Sequence, residues 1–163
     1  MIWLERLARL CGALAALFLC LIGVVVTAQI VARLFSMQIP ASDDFAAWCM
    51  SASIFLALPY AMLRGDHIRV SLLLQVMPQR LHRPYEVLAT LIGLALSAWC
   101  TWETAFFVYE SFLYKEVSQG MLAVPLWIPQ VGMPIGLGLL TLMLLRRLLR
   151  TVQGQELEAT EHG

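Results

Sequence analysis

Fixed charge is scarce in this chain. Eleven basic and eleven acidic side chains are spread over 163 residues, 13% of the total. A soluble domain carries roughly 25% charge, so the surface of a water-exposed fold of this length could not be covered. A hydrophobic fraction of 60% and a mean hydropathy of +0.77 agree. The composition predicts an integral membrane protein, short enough for one domain. Basic residues sit beside apolar runs rather than interleaved on a solvated face, which excludes a nucleic-acid partner.

Chemical motifs are equally thin. Cys11, Cys20, Cys49 and Cys100 all lie inside apolar runs with no CxxC spacing, so they read as small packing hydrophobes without disulfides or metal. HExxH, a nucleophile elbow and a Walker A loop are missing. Only three histidines are present: His67, His82 and His162. No apolar run carries a charge near its predicted middle, which argues against a self-sufficient ion or proton path. No cofactor or metal is expected in this chain.

What is present is a series of apolar runs of membrane-spanning length, about 20 residues each. After a short amphipathic lead with Arg6 and Arg9, the run from Leu10 to Ala32 has no proline and is predicted as a first span, 10–32. A secretory signal with a small-residue site at Val26-Thr27-Ala28 competes, but its apolar region would normally be only 7–15 residues. The second span, 45–63, opens after Pro40 and the pair Asp43-Asp44. Ser42 or Asp43 suits an N-cap, and first-turn acids complement the helix dipole. The third span is predicted over 85–107 and opened by Pro84, the fourth over 126–145. Gly132, Gly136 and Gly138 give the fourth a small-residue face for close helix contact. Ser51 and Ser53 read as packing or backbone-bonded groups. Residues 151–163 are a polar, Glu-rich tail predicted to be flexible.

Two features bear on function. Between spans two and three, residues 68–81 are too short to cross, and Ser71, Gln75, Gln79 and His82 form a polar stripe. That pattern predicts an amphipathic helix lying in the membrane interface. Further on, Glu103 and Glu110 share one helical face beside Trp99, Trp102, Tyr109 and Tyr114. Counting from Tyr85 places Glu103 near the far surface, as an interfacial or subunit-contact carboxylate.

Four spans put both termini on one side, together with Arg6, Arg9, Arg64, Arg69, Arg80, Arg83, Arg146, Arg147 and Arg150. Only Arg33 and Lys115 fall opposite. The Lys/Arg excess marks the cytoplasmic side, so both termini are predicted cytoplasmic. Asp43 and Asp44 then face outward, and the Arg64-Gly65-x-His67 turn is a cytoplasmic anchor.

The stretch Pro40-x-x-Asp43-Asp44, a span, then Arg64-Gly65-x-His67-Ile68-x-Val70 resembles the DctQ family, the small membrane subunits of tripartite ATP-independent periplasmic (TRAP) transporters. Pro125-Leu126-Trp127 and the four-span layout extend the resemblance over nearly the whole chain. Two positions depart from the pattern: the acid pair is usually Glu-Glu, and Ser71 stands where an aspartate is common. The resemblance implies a bacterial inner-membrane protein whose partners are a large permease subunit, a periplasmic solute-binding protein and membrane lipids. It implies that sodium and an organic acid bind the large subunit, which this one braces. The competing readings are a self-sufficient small transporter using Glu103 and Glu110, another non-catalytic membrane accessory, and an enzyme using Asp66, His67 and Arg69. The missing catalytic motifs leave the scaffold reading first.

Overall fold

The computed structural model describes residues 2–37, 39–64, 79–120 and 122–152. Its elements are α1 (Ile2–Leu34), α2 (Ser42–Leu63), α3 (Gln79–Leu113), a single turn α4 (Trp127–Gln130) and α5 (Gly132–Val152). Four segments are long and apolar enough to cross a membrane: Trp3–Leu34, Ser42–Leu63, Val87–Leu113 and Trp127–Thr151. Among the described residues the only extended pairing is an isolated bridge between Val117 and Pro125.

Each helix is longer than the apolar run that announces it. The lead with Arg6 and Arg9 is continuous with α1 rather than separate. Pro84 does not open the third helix, as predicted, but lies inside it, five residues after Gln79. A proline removes one N–H and crowds the preceding turn. This close to a helix start, few intrahelical bonds are at stake, so the helix begins upstream. At its other end α3 runs to Leu113, six residues past the predicted limit. The fourth crossing is broken at Val131 between α4 and α5. Pro134 cannot donate to the Gln130 carbonyl, and the neighbouring bonds Gln130 N–H to Leu126 O and Ile135 N–H to Val131 O are long, 3.4 Å each. The predicted interfacial helix 68–81 falls outside the described residues except for 79–81, which begin α3.

The helices form an open row rather than a closed bundle. The order across the row is α1, α2, α5, α3, with α1 also touching α5, and among the described residues α3 touches neither α1 nor α2. α1 and α2 are antiparallel, as are α3 and α5, and the two pairs join where α2 and α5 run parallel. The α1–α2 contact is made by Tyr60 lying on Gly12, and by Ser53 Oγ donating to the Ala15 carbonyl at 2.9 Å. Cys11, Ala15 and Leu56 form the buried cluster there, with Leu139 of α5 against it. The α3–α5 contact carries a Thr101–Thr141 hydroxyl bond of 3.1 Å, with Gly93 beside Leu144.

The central α2–α5 joint follows from two residues. Pro59, inside α2 and buried, has no N–H for the Phe55 carbonyl one turn back. Gly136 of α5 lies directly against that carbonyl, and Gly132 lies against Ala52 one turn outward. The freed oxygen thus meets a glycine Cα, a weak C–H donor, in a setting where lipid offers no hydrogen bond. Gly136→Ala would drive its methyl into the Phe55 carbonyl. It is expected to cost roughly 1–3 kcal/mol, read as a lowered thermal midpoint in detergent. Gly23→Ala, with nothing within 4 Å, should be neutral or stabilising by about 0.5–1 kcal/mol.

Candidate functional site

The acid pair opens α2, but neither Ser42 nor Asp43 caps it. Ala41 holds the cap position in the left-handed region, with φ of 59°, and makes no side-chain cap bond. Ser42 Oγ instead donates back to the Ile39 carbonyl at 3.1 Å, and this tight turn carries the chain over from α1. Asp43 and Asp44 therefore occupy the first helical turn, where negative charge favours the dipole. The Asp43 carboxylate accepts from Gln29 Nε2 of α1 at 3.2 Å. Asp44 is half-buried beneath Gly120, where an added Cβ would strike its carboxylate.

Gly120 belongs to a loop tied at its base. Ser118 N–H donates to Val124 O at 2.8 Å, Leu126 N–H donates to Glu116 O at 3.0 Å, and Ser111 Oγ donates to the Glu116 carboxylate at 2.9 Å. The acid pair is thus the meeting point of α1, α2 and the α3–α4 loop. Beside it an open cavity of about 390 Å³ lies between Gln29, Arg33, Pro40 and Asp43. Sequence reasoning missed Gln29 and Gly120. Neither belongs to a motif: Gln29 is brought in by the turn from α1 and Gly120 by the α3–α4 loop.

At the opposite end, Arg64 follows α2 and its Nε and Nη2 donate to the Tyr60 hydroxyl at 2.9 and 2.7 Å. Tyr60 is itself seated on Gly12, so the arginine is fastened to the α1–α2 pair. Gly65 and His67, the rest of the anchor motif, lie outside the described residues, as do Asp66 and Arg69. Asp43 and Arg64 are 21 residues apart on one helix, about 31 Å at 1.5 Å per residue. They cannot form one site.

Glu103 is exposed and Glu110 half-buried on α3. Their level along the row follows from packing. Gly136 sits at Phe55, twelve residues inward of Asp43, and Thr141 is five residues further in. Thr101 is bonded to Thr141, and Glu103 lies two residues back toward the Asp43 end. Summed at 1.5 Å per residue, Glu103 is about 20 Å inward of Asp43. The count from Tyr85 places it nearer that end. That count assumed that the third crossing ended soon after Glu103, whereas α3 continues for ten residues beyond it.

Among the described residues no group of three or more His, Cys, Asp or Glu side chains could hold a metal ion. The candidate residues lie at two ends and along one edge of the described helices. The family model described as "Tripartite ATP-independent periplasmic transporters, DctQ component" matches residues 22–154. The chain belongs to the DctQ family. The match begins inside α1 and runs past the end of α5, so it covers the acid pair, the anchor turn and both central glycines. No curated protein and no solved structure matches the chain. DctQ proteins are the small permease components of TRAP transporters, a transporter family rather than an enzyme family.

The Asp44–Gly120 contact gives a direct check on this end of the molecule. Gly120→Val should push the 115–126 loop off the acid pair and speed tryptic cleavage after Lys115 several-fold. An unchanged rate would mean that the loop is held by its base alone.

Proposed function

We propose that this DctQ chain is a non-catalytic scaffold. It braces the large permease component of a TRAP transporter and helps dock the periplasmic solute-binding protein. In this reading it lies in the bacterial inner membrane with both termini cytoplasmic. The Asp43–Asp44 end faces the periplasm, and the Arg64-Gly65-x-His67 turn anchors the cytoplasmic end. The organic acid and the sodium ions that drive its uptake bind the large component, and this chain holds neither.

The observation that carries the reading is the open row itself, in a chain of a transporter-component family. Among the described residues the four spans enclose no central path, and most of their apolar surface is uncovered. Leu10, Leu19, Val24 and Ile30 of α1 and Leu96, Trp99 and Trp102 of α3 are all between 59% and 74% exposed. A layer of this kind suits bracing a larger neighbour. Asp43, Gln29 and Arg33, around the cavity at the outer end, supply polar groups for a water-soluble partner.

The test is uptake in cells that carry the large component and the binding protein with and without this chain. Uptake is expected to fall to background in its absence and to return when it is supplied from a second plasmid. This chain alone in sealed vesicles should give no flux. Substrate-driven uptake by the isolated chain, lost in Glu103→Gln, would replace the scaffold with a self-sufficient carrier.

A further inference from the structure

The outer edge of α3 carries a helix-packing seam with no partner among the described residues. Ile92, Leu96, Trp99, Glu103, Phe106, Glu110 and Leu113 follow one another at steps of four, three, four, three, four and three. This 3.5-residue repeat is the a/d spacing of helices that pack along their length. The groups that face α5 (Thr101, with Ser97 and Val108 close to its bearing) lie on the opposite side of the helix at 100° per residue. The apolar members are open, with Ile92 52%, Leu96 62%, Trp99 71%, Phe106 50% and Leu113 57% exposed. α3 is the last helix of the row, and among the described residues nothing reaches this edge.

Glu103 occupies the middle of the seam. Its level, about 20 Å inward of Asp43 along helices of 1.5 Å rise, lies well inside a hydrocarbon core of about 30 Å. A carboxylate there is costly when it faces lipid, and such groups face a protein interior and pair with another group. Trp99 and Phe106, one turn to either side, would shield it from the lipid above and below. A second copy of this chain on the same seam is a poor occupant. It would set Glu103 against its own counterpart, two like charges in a medium that screens poorly.

We propose that this seam is the docking edge for a transmembrane helix of the large permease component, and that this helix presents a basic side chain to Glu103. The inference rests on the reading that the chain works bound to that component, and it adds the edge and the chemistry of the contact. Aromatic residues and small steps of the seam supply the packing, while the carboxylate sets register, since only one alignment of the two helices pairs it.

The experiment is co-purification of the full chain with a tagged large component from membranes expressing both. Glu103→Gln and Glu103→Leu are compared with the wild type at equal membrane levels. Benzophenone is placed at Phe106 as a photo-cross-linker. Recovery of the chain is expected to fall roughly tenfold or more in both variants, as when one partner of a buried pair is removed. Phe106 is expected to cross-link to the large component. Failure of the wild-type chain to co-purify would remove the scaffold reading on which the inference stands. A wild-type complex that forms while Glu103→Gln is recovered equally well, or while Phe106 gives no cross-link, overturns the seam proposal alone.

Discussion

The contact between Gly136 and the Phe55 carbonyl lies at the closest approach of the two helix pairs. Helices in lipid gain little from apolar burial, because the surroundings are as apolar as the side chains. They associate through close van der Waals contact and through polar groups that lipid cannot satisfy. Pro59 creates such a group by withholding its N–H from Phe55, and Gly136 alone is small enough to reach it. Gly132 on Ala52 extends the same approach by one turn. Without this joint the two antiparallel pairs would meet only through the lesser contacts of α4 with α2 and α3 and of α1 with α5.

The same economy appears at the other joints. Gly12 receives the Tyr60 ring, Ser53 donates to the Ala15 carbonyl, and Thr101 meets Thr141. Each is a small or hydroxylated residue set where two helices cross. The large apolar side chains are mostly turned outward, toward lipid or a partner. In a soluble protein that distribution would be inverted. Here it follows from the solvent, and it leaves a layer whose faces and outer edges remain available for assembly in the membrane.

Much of this was legible in the sequence. Hydropathy marked four crossings, and the spacing of Gly132 and Gly136 marked a close helix contact, because both signals are local. The acidic pair and the Arg64 exit marked the family, which the match over residues 22–154 bears out. The Asp43–Gln29 and Asp44–Gly120 contacts were hidden, because they depend on how chain reversals return distant residues. The level of Glu103 along the row was not legible for a related reason. It depends on where α3 starts and stops, and on its register against α5 through Thr101 and Thr141, and neither is encoded near Glu103. The open order α1, α2, α5, α3 was also beyond reach, since apolar runs of similar strength do not say which helices are neighbours.

A row of four helices and a closed bundle differ most in the distance between their first and last members. Spin labels at Leu17 on α1 and Phe107 on α3, both exposed and at about the same level along the row, would report it by pulsed dipolar spectroscopy in lipid nanodiscs. With interaxial spacings of 8–10 Å, the open row puts the two helix axes at least about two spacings apart, roughly 16–20 Å or more. A separation near 10 Å, the spacing of direct neighbours, would close the bundle and contradict the account.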